Sequence, residues 1–158
     1  MNKQKIAILS NGLTGKAIAM ALSNLNVEVD IIQEHPLSLN IKSNATLSIS
    51  DASLKILKKI GFKKNSLIFW PIQKIILFDG LKKNAKPDSE FYNSERKKNL
   101  SYIVKKTDLE KHITKYSKKI NIIKSKINSI QSKGFLKKII FKSKKNKDYN
   151  LIIATDSN

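Results

Sequence analysis

Residues 5–15 read KIAILSNGLTG, a short apolar run followed by a turn that contains two glycines. The run Lys5–Leu9 has the length and apolar content of a buried strand. Beyond the turn, apolar residues recur at helical spacing from Ile18 to Leu25, and a second apolar run follows at 27–32. A strand, a glycine turn, a helix and a strand within roughly 30 residues predict a βαβ unit, in which the two strands are parallel.

The turn carries two of the three glycines of the dinucleotide-binding pattern G-x-G-x-x-G. Ser10 takes the first position, Gly12 the second and Gly15 the third. The second glycine lets the main chain approach a pyrophosphate, the third lets the helix pack on the strand, and the helix N-terminus faces the phosphates. We therefore predict that Ser10, Gly12, Leu13, Thr14 and Gly15 contact a dinucleotide. The alternative is a βαβ unit whose glycines only form a turn.

The end of the second predicted strand carries the next candidate residues. In a dinucleotide-binding unit, an acidic side chain here hydrogen-bonds the ribose hydroxyls of the adenosine. Gln33 occupies the expected position and Glu34 follows it. An amide can bond a hydroxyl without the strength that a charge adds, and Glu34 takes the role if the strand ends one residue later. We predict that Gln33 or Glu34 contacts the ribose; a solvated loop position is the alternative for Glu34.

The middle of the chain is less regular. Polar residues 34–50 predict a loop, after which Ser50–Ser53 begins a helix that Gly61 ends. Trp70, which a proline follows, breaks the chain before a strand at 72–78. We expect Trp70 to pack in a core or between domains.

The last part of the chain alternates short strands with turns. Residues 81–99 predict a loop or an irregular hairpin, followed by a strand from Leu100 and a helix capped by Thr107. Four short apolar runs then complete the chain, with a hairpin at Gly134 and a lysine-rich turn or loop at 142–147.

Lysine dominates the charge. The 158 residues carry a net charge of +19 at pH 7, and Arg96 is the single arginine beside 30 lysines. Proteins that read duplex sequence rely on arginine forks, so we expect no specific nucleic-acid partner. Frequent Lys, Ile and Asn also fit a genome rich in A and T. A field of this sign still attracts anionic lipid, RNA or an acidic partner, so a basic nucleic-acid or membrane-surface binder is an alternative function.

Several classes of chemistry have no support in the residues. The absence of cysteine excludes a disulfide framework, a thiolate metal site and a cysteine nucleophile. His35 and His112 are the only histidines and lie far apart, so we predict no metal site, and we expect His112 to be exposed. No apolar run approaches the roughly 20 residues that span a bilayer. We expect a cytoplasmic protein that can also lie peripherally on a membrane.

Five segments, in this order, resemble the flavin-dependent aromatic hydroxylases. Ile6–Gly15 resembles the FAD-binding start of that family. Leu47–Gly61 is similar to the segment after the second strand in the subgroup that hydroxylates the ring of ubiquinone precursors, and Ile72–Asp79 to that subgroup's strand into the substrate domain. Tyr102–Val104, followed by Leu109, resembles the return into the FAD domain, and Leu151–Asp156 resembles the strand that leads to the family's G-A-D-G motif.

The resemblance implies an α/β fold. A Rossmann-type βαβ sheet would bind FAD, joined to part of an antiparallel substrate-domain sheet and incomplete at the C-terminus. Residues 1–70 would form the first part of the FAD-binding domain, 71–105 an excursion into the substrate-domain strands, and 106–158 the return. The implied reaction reduces FAD with NAD(P)H and uses dioxygen to hydroxylate a phenolic ring. The implied substrate is a small aromatic or polyprenylated phenol.

The resemblance also implies where FAD contacts the chain. Gly12–Gly15 would meet the pyrophosphate, the main chain of Ile127 the adenine, and Asp156 the ribityl–pyrophosphate region; a strand-end turn is the alternative role for Asp156. The sequence departs from the family at Ser10, which replaces the first glycine, and at Ala154–Ser157, where only the Asp of the last motif is kept. We name no catalytic acid or base, because this part of the family contributes mostly binding.

The family continues well beyond the last of these segments. We therefore expect the N-terminal part of such an oxidoreductase, incomplete and inactive alone. A missing C-terminal part or an oligomer partner would cover the apolar sheet edges. The alternative to an enzyme, besides the basic binder, is a non-catalytic nucleotide-binding remnant.

Overall fold

The computed structural model describes residues 3–34, 45–63, 68–78, 87–93, 98–116 and 120–155. Within these ranges the chain forms three helices and twelve strands. The helices are α1 (Leu13–Leu22), α2 (Asp51–Lys59) and α3 (Lys106–Tyr116). The strands are β1 (Gln4–Leu9), β2 (Val27–Gln33), β3 (Thr46–Ser50), β4 (Trp70–Ile72), β5 (Lys74–Leu77), β6 (Ser89–Tyr92), β7 (Ser101–Lys105), β8 (Ile120–Lys124), β9 (Ile127–Lys133), β10 (Leu136–Phe141), β11 (Lys147–Tyr149) and β12 (Leu151–Ala154).

The chain divides into two compact units. The first unit contains Met1–Lys42, Ile60–Phe62 and Glu110–Asn158, and the second contains Ser43–Lys59 and Lys63–Leu109. The division by compactness therefore puts 43–59 with the second unit, whereas the sequence analysis assigned 1–70 to one segment. The functional division at 70 and 105 stays a prediction.

A four-stranded parallel sheet forms the centre of the first unit. Its strand order is β12-β1-β2-β8, and each neighbouring pair is parallel. The predicted βαβ unit is thereby confirmed, because β1 and β2 are joined through α1 and run in the same direction. The strands of this sheet are rich in Ile, Val and Leu, as expected when both faces of a parallel sheet are covered, although β2 also carries Glu28 and Asp30.

Two cores cover the two faces of this sheet. On one face, Ile8 and Val29 pack with Ala19 of α1. On the other, Ala7 and Ile32 pack against side chains of an antiparallel sheet, among them Tyr149. Residues one apart along β1 face opposite ways, so the strand needs an apolar side chain at both positions. This burial on both sides fixes the position of β1, at whose end the glycine turn begins.

The antiparallel sheet of the first unit has the order β11-β10-β9. Gly134 lies in the turn between β9 and β10 with a φ of +60°, which confirms the predicted hairpin. The prediction that 142–147 is only a turn or loop was wrong at its end, because β11 begins at Lys147. The lysines of this stretch favoured a loop in the sequence analysis. The strand forms because its pairing with β10 and the burial of Tyr149 outweigh the charge of Lys147.

The second unit contains a three-stranded antiparallel sheet of order β3-β7-β4 and a separate hairpin of β5 and β6. The loop predicted for 34–50 was wrong over β3, whose residues alternate Thr46-Leu47-Ser48-Ile49-Ser50 and bury Ile49. Residues 35–44 lie outside the described ranges. Of the stretch 81–99, predicted as a loop or an irregular hairpin, the described residues contain β6, which pairs with β5 outside that stretch. Residues 81–86 and 94–97 lie outside the described ranges.

Trp70 and Thr107 also differ from expectation. The Trp70–Pro71 pair does not break the chain; it lies in β4, at the edge of its sheet, where a proline is tolerated. Trp70 is 75% exposed, so its placement in a core was wrong. Thr107 is the second residue of α3 and not its cap, because the helix begins at Lys106. None of the described helices is long and apolar enough to cross a bilayer.

Candidate functional site

The carboxyl ends of the parallel strands form the edge at which dinucleotides bind in sheets of this kind. The chain leaves β1 for α1 and β2 on one side, whereas β12 lies on the other side of β1. In open sheets of this kind, such a reversal of strand order marks the position at which a ligand crevice is expected. Thr155 lies on the β12 side of this position, where its amide donates a 3.1 Å hydrogen bond to the carbonyl of Leu9.

The first turn of α1 follows the carboxyl end of β1. Gly12 is the N-cap residue, with extended backbone angles of −114° and −173° that any residue can adopt. Among the described residues no side chain caps the helix, and its first turn carries no acidic residue. The described side chains therefore leave the main-chain N–H groups of the first turn without a cap, at the positive end of the helix dipole.

Ser10 fits the space that Gly15 leaves. Its side chain is buried, and its Oγ accepts a 3.2 Å hydrogen bond from the amide of Gly12. A Cβ placed on Gly15 would overlap the Cβ and Oγ of Ser10. The third glycine of the pattern thus has its expected role, since α1 passes over the end of β1 without room for a side chain. Ser10 replaces the first glycine because Gly15 leaves space for its hydroxymethyl group.

Gln33, Glu34 and Ile127 meet at the neighbouring part of the same edge. Gln33 ends β2 and its carbonyl accepts a 3.2 Å hydrogen bond from the amide of Ser125. Glu34 follows, and its Oε1 accepts a 2.8 Å hydrogen bond from the amide of Ile127. Both Gln33 and Glu34 are half-buried. The sequence analysis placed both Glu34 and Ile127 at the adenosine. The structure brings these two residues together as hydrogen-bond partners.

Ser125 is a residue of this edge that the sequence analysis missed. It is buried, and its Oγ lies 3.3 Å from the Oγ of Ser143. The sequence feature that could have identified Ser125 is its position as a serine between the apolar runs of β8 and β9. Of the remaining candidates, Asp156 and His35 lie outside the described residues. The contact of every candidate residue with a cofactor stays a prediction.

His112 differs from its predicted exposure. It is half-buried on α3, and its ring lies 4.9 Å from the ring of Phe62 in an edge-to-face contact. The lysines around it suggested a solvated helix face, but an aromatic neighbour covers the ring. Among the described residues, no group of three or more His, Asp or Glu side chains lies close enough to hold a metal ion.

A polar cluster around Asp30 carries the largest electrostatic perturbation in the first unit. The Asp30 carboxylate accepts hydrogen bonds from Tyr149 (2.7 Å), Lys147 (2.9 Å) and Asn121 (2.9 Å). Burial alone would raise the pKa of Asp30, but these three donors outweigh it and hold the pKa below its ordinary value. Burial and the neighbouring Asp30 carboxylate raise the pKa of Tyr149. The cluster links β2 to β11, because the charged carboxylate of Asp30 in β2 accepts from the neutral phenol of Tyr149 in β11.

Comparison with known proteins rests on structure alone. No protein-family model matches the sequence, and no curated protein is significantly similar to it. HpxO of Klebsiella pneumoniae, solved with FAD and uric acid, superposes with a TM-score of 0.75 at 17% identity. The 2,6-dihydroxypyridine-3-hydroxylase from Arthrobacter nicotinovorans gives a TM-score of 0.70 at 12% identity, and tetracycline destructase Tet(51) gives 0.68 at 15%.

The chain has the fold of these solved structures. The predicted fold class is thereby confirmed, with its parallel sheet and its antiparallel sheets. The match covers 97% of this chain and 39% of HpxO, and 98% of this chain and 39% of Tet(51). The chain therefore spans about two fifths of the length of the solved structures it matches. At these identities the similarity establishes the fold alone.

Proposed function

We propose that this chain binds the ADP half of FAD at the carboxyl edge of the parallel sheet. The single observation that carries the proposal is the contact of Gly15 with Ser10, which brings an uncapped helix N-terminus to the end of β1. Main-chain N–H groups from Leu13 to Gly15 would hold the pyrophosphate, which would approach closely at Gly12, whose own amide donates to Ser10 Oγ. Glu34, oriented by the amide of Ile127, would accept hydrogen bonds from the ribose, because its Oε2 is not used by that contact.

The residues present fit a dinucleotide by their chemistry. A pyrophosphate needs several donors and no nearby acid, and the first turn of α1 offers N–H groups and no acidic side chain. A ribose diol needs an acceptor, and the end of β2 offers Glu34 and Gln33. Asp156 would contact the cofactor from beyond β12, as the resemblance implies.

For the whole protein we propose hydroxylation of a phenolic ring with NAD(P)H and dioxygen. Bound FAD would supply the oxygen chemistry, while the protein binds, orients and excludes water. Two structural neighbours support a ring substrate, since one was solved with uric acid and the other is named a dihydroxypyridine hydroxylase. The ubiquinone-precursor subgroup, with a polyprenylated phenol as substrate, rests on the resemblance of Leu47–Gly61 and Ile72–Asp79.

We propose further that this chain alone binds the nucleotide without turnover. It spans about two fifths of its structural neighbours, and the rest of the fold, on further polypeptide or an oligomer partner, would complete the substrate site. We place the activity in the cytoplasm and propose no specific nucleic-acid partner, given one arginine among 31 basic residues. A non-catalytic remnant and an enzyme component both predict FAD binding by this chain; NAD(P)H oxidation that a phenol stimulates once the rest of the fold is supplied would favour the enzyme.

The test uses one position and two substitutions. Gly12→Asp and Gly12→Asn both place a capping side chain on α1, and the backbone angles of Gly12 suit either residue. Asp adds a negative charge where the pyrophosphate would lie, whereas Asn does not. We expect the affinity for FAD, measured by quenching of flavin fluorescence, to fall at least about tenfold further in Gly12→Asp than in Gly12→Asn.

Stability and a competing ligand complete the test. Thermal unfolding without ligand should be no lower for Gly12→Asp than for Gly12→Asn, because both side chains cap the helix. ADP should compete with FAD for the wild-type chain, since both present the same half. Equal FAD affinity in the two variants, or no competition by ADP, would contradict binding of the pyrophosphate at α1.

A further inference from the structure

The parallel sheet of the first unit ends at β8, and this edge is unpaired in the described part of the chain. The strand order β12-β1-β2-β8 gives β8 one described neighbour, β2. The sequence of β8, INIIK, is mostly apolar, and Ile122 is 40% exposed. An unpaired apolar edge strand is a template on which another strand can pair. We call this side of the strand the β8 edge.

One hydrogen bond fixes the direction of the main-chain groups along β8. The amide of Ser125, directly after β8, donates to the carbonyl of Gln33 in β2 at 3.2 Å. The N–H and C=O groups of successive residues in a strand point to alternate sides, so those of Ile123 also point to β2. The main-chain groups of Ile122 and Lys124 therefore point out of the sheet, and among the described residues no main chain pairs with them. The β8 edge thus offers two donors and two acceptors in a row.

A small apolar hollow lies on the face of β8 that α1 covers. Ile120 and Ile122 share this face, because residues two apart in a strand point the same way. They line a hollow of about 30 Å³ together with Ile31, Lys16 and Thr114. Ile31 is the neighbour of Ile122 in β2 and belongs to the core beneath α1. A hollow of this size and lining accepts a small apolar side chain.

A groove with several lysines lies on the opposite face of β8. It has a volume of about 240 Å³, and the buried side chains of Ile123 and Phe141 form its base. The rest of its lining consists of Asn121, Ile122, Lys144, Lys145 and Lys147. Lys147 is paired with Asp30 at 2.9 Å, whereas no described acidic side chain pairs with Lys144 or Lys145. We call this the lysine groove; it offers uncompensated positive charge directly beside the β8 edge.

The two faces together predict the pattern of a strand that pairs with β8. Side chains of an added strand alternate between the two faces, as those of β8 do. One set would lie beside Ile120 and Ile122, where small apolar side chains fit, and the other beside Lys144 and Lys145, where carboxylates fit. We propose that the β8 edge binds an extended segment of a partner protein in which apolar and acidic residues alternate. This inference does not depend on nucleotide binding.

The local charge and the strand order disfavour other occupants of the β8 edge. A second copy would bring its own Lys124, Lys144 and Lys145 against the same lysines. A lipid surface would leave the main-chain groups of Ile122 and Lys124 without partners, because lipid tails form no hydrogen bonds. Polypeptide that continues from β12 emerges at the other edge of the sheet, so the rest of the fold would extend the sheet there by a shorter connection.

The experiment measures binding of a fluorescent peptide, in which Val and Glu alternate, to the full chain by anisotropy. One methylated form carries N-methyl groups on every Val and the other on every Glu, so that each lacks the donors of one side of the strand. We expect one form to bind at least about tenfold more weakly and the other to stay within about threefold. Loss in the Glu form would indicate a parallel added strand, and loss in the Val form an antiparallel one. A polyglutamate peptide of equal length should bind at least about tenfold more weakly than the alternating peptide.

Variants of the chain locate the peptide at the β8 edge. Lys124→Pro removes the outward N–H and keeps the hydrogen bonds to β2, and Lys124→Ala is its control. We expect the proline to weaken binding at least about fivefold more than the alanine. Lys144→Glu with Lys145→Glu should weaken binding at least about tenfold, whereas the same charge change at Lys98 and Lys105 of the second unit should stay within about threefold. All five lysines are exposed, so the fold should survive, which circular dichroism checks.

Four results would overturn the proposal. No saturable binding of the alternating peptide would remove the partner. Equal binding of the two methylated forms, or polyglutamate binding as tight as that of the alternating peptide, would mean that charge alone attracts it. Hydrogen exchange in the free chain that is as slow at Ile122 and Lys124 as at Ile123 would mean that the β8 edge is already paired. A dimer seen by light scattering without peptide, and lost in Lys124→Pro, would assign the edge to a second copy.

Discussion

Gly15 lies where the first turn of α1 passes over Ser10, and this contact makes a side chain at position 15 costly. Gly15→Ala would press a methyl group into the Cβ and Oγ of Ser10. Overpacking of this kind costs about 1–3 kcal/mol, which exceeds the roughly 1 kcal/mol that alanine gains over glycine in a helix. We expect Gly15→Ala to lower the free energy of unfolding in urea by up to about 2 kcal/mol, the difference between these two effects.

The matched double variant separates this clash from other effects at position 15. Ser10→Gly removes both atoms that a Cβ would meet, and the next neighbour, Cγ2 of Ile8, is at an ordinary 3.4 Å. In the Ser10→Gly background, Gly15→Ala should therefore become neutral or stabilising, with the helix propensity of alanine regained. A penalty of the same size in both backgrounds would show that Ser10 is not the obstacle.

Asp30 gives a second prediction for a single residue. Its folded pKa lies below the ordinary 3.8, so its contribution to stability is present above about pH 3.8 and is lost as the pH falls through the folded pKa. Asp30→Asn removes the charge that strengthens bonds from Lys147 and Tyr149. We expect a loss of roughly 1–3 kcal/mol at neutral pH by urea unfolding. That difference from the wild type should shrink at about pH 3; a constant difference would contradict it.

Contacts between residues close in sequence were predictable here, and contacts between residues far apart in sequence were not. The close packing at Gly15 follows from its position in the glycine pattern, because the third glycine lets the helix pack on the strand. The hydrogen bond from Ile127 to Glu34 joins residues 93 apart. No local pattern encodes it, since it depends on β8 lying beside β2 and on the path of the chain after β8.

At the scale of the helices, a buried ion pair links α1 to α3. Lys16 Nζ lies 3.0 Å from Glu110 Oε2, and each side chain is 17% exposed. Removing one partner leaves the other charge buried without compensation, which costs about 3–5 kcal/mol for fully buried pairs and less here. We expect Glu110→Ala to destabilise the chain by roughly 2 kcal/mol or more in urea unfolding. Lys16→Met with Glu110→Leu should recover most of the loss.

The exposed pair of Lys5 and Glu28 is the matched control for this helix contact. Its atoms are 3.7 Å apart and each side chain is 56% exposed. Glu28→Ala should change stability by no more than about 0.5 kcal/mol, because water screens an exposed pair. Similar losses at Glu28 and Glu110 would mean that charge number, and not burial, sets the cost.

Strands whose sequences are mostly apolar were predictable, and strands in which polar or charged residues are frequent were not. The apolar runs of β1 and β2 lie on either side of an amphipathic helix, and each extends within one or two residues of its predicted bounds. In β3, polar residues alternate with Leu47 and Ile49, and the short strand reads as a loop. The sequence of β11 does not predict a strand, because two of its three residues are a lysine and an aspartate. Pairing with β10 and one buried tyrosine hold this strand in place.

The charge of the whole molecule makes its stability depend on salt. At pH 7 the net charge of +19 is repulsive in the compact state and less so in the expanded unfolded chain. Raising NaCl from about 0.02 to 0.3 M shortens the Debye length and screens this repulsion. We expect the free energy of unfolding to rise by roughly 1 kcal/mol or more over that range.

The sign of this salt effect separates repulsion from attraction. Exposed ion pairs such as Lys133–Asp148 weaken with salt and would lower stability, so a fall at pH 7 would contradict dominance by the net charge. Close to the isoelectric point of about 10.1 the net charge vanishes, and the rise with salt should disappear. Sulfate stabilises by exclusion from the protein surface and would act at both pH values, which is why chloride is the salt to use. A rise with chloride that persists at about pH 10 would therefore point to ion binding and not to screening of the lysines.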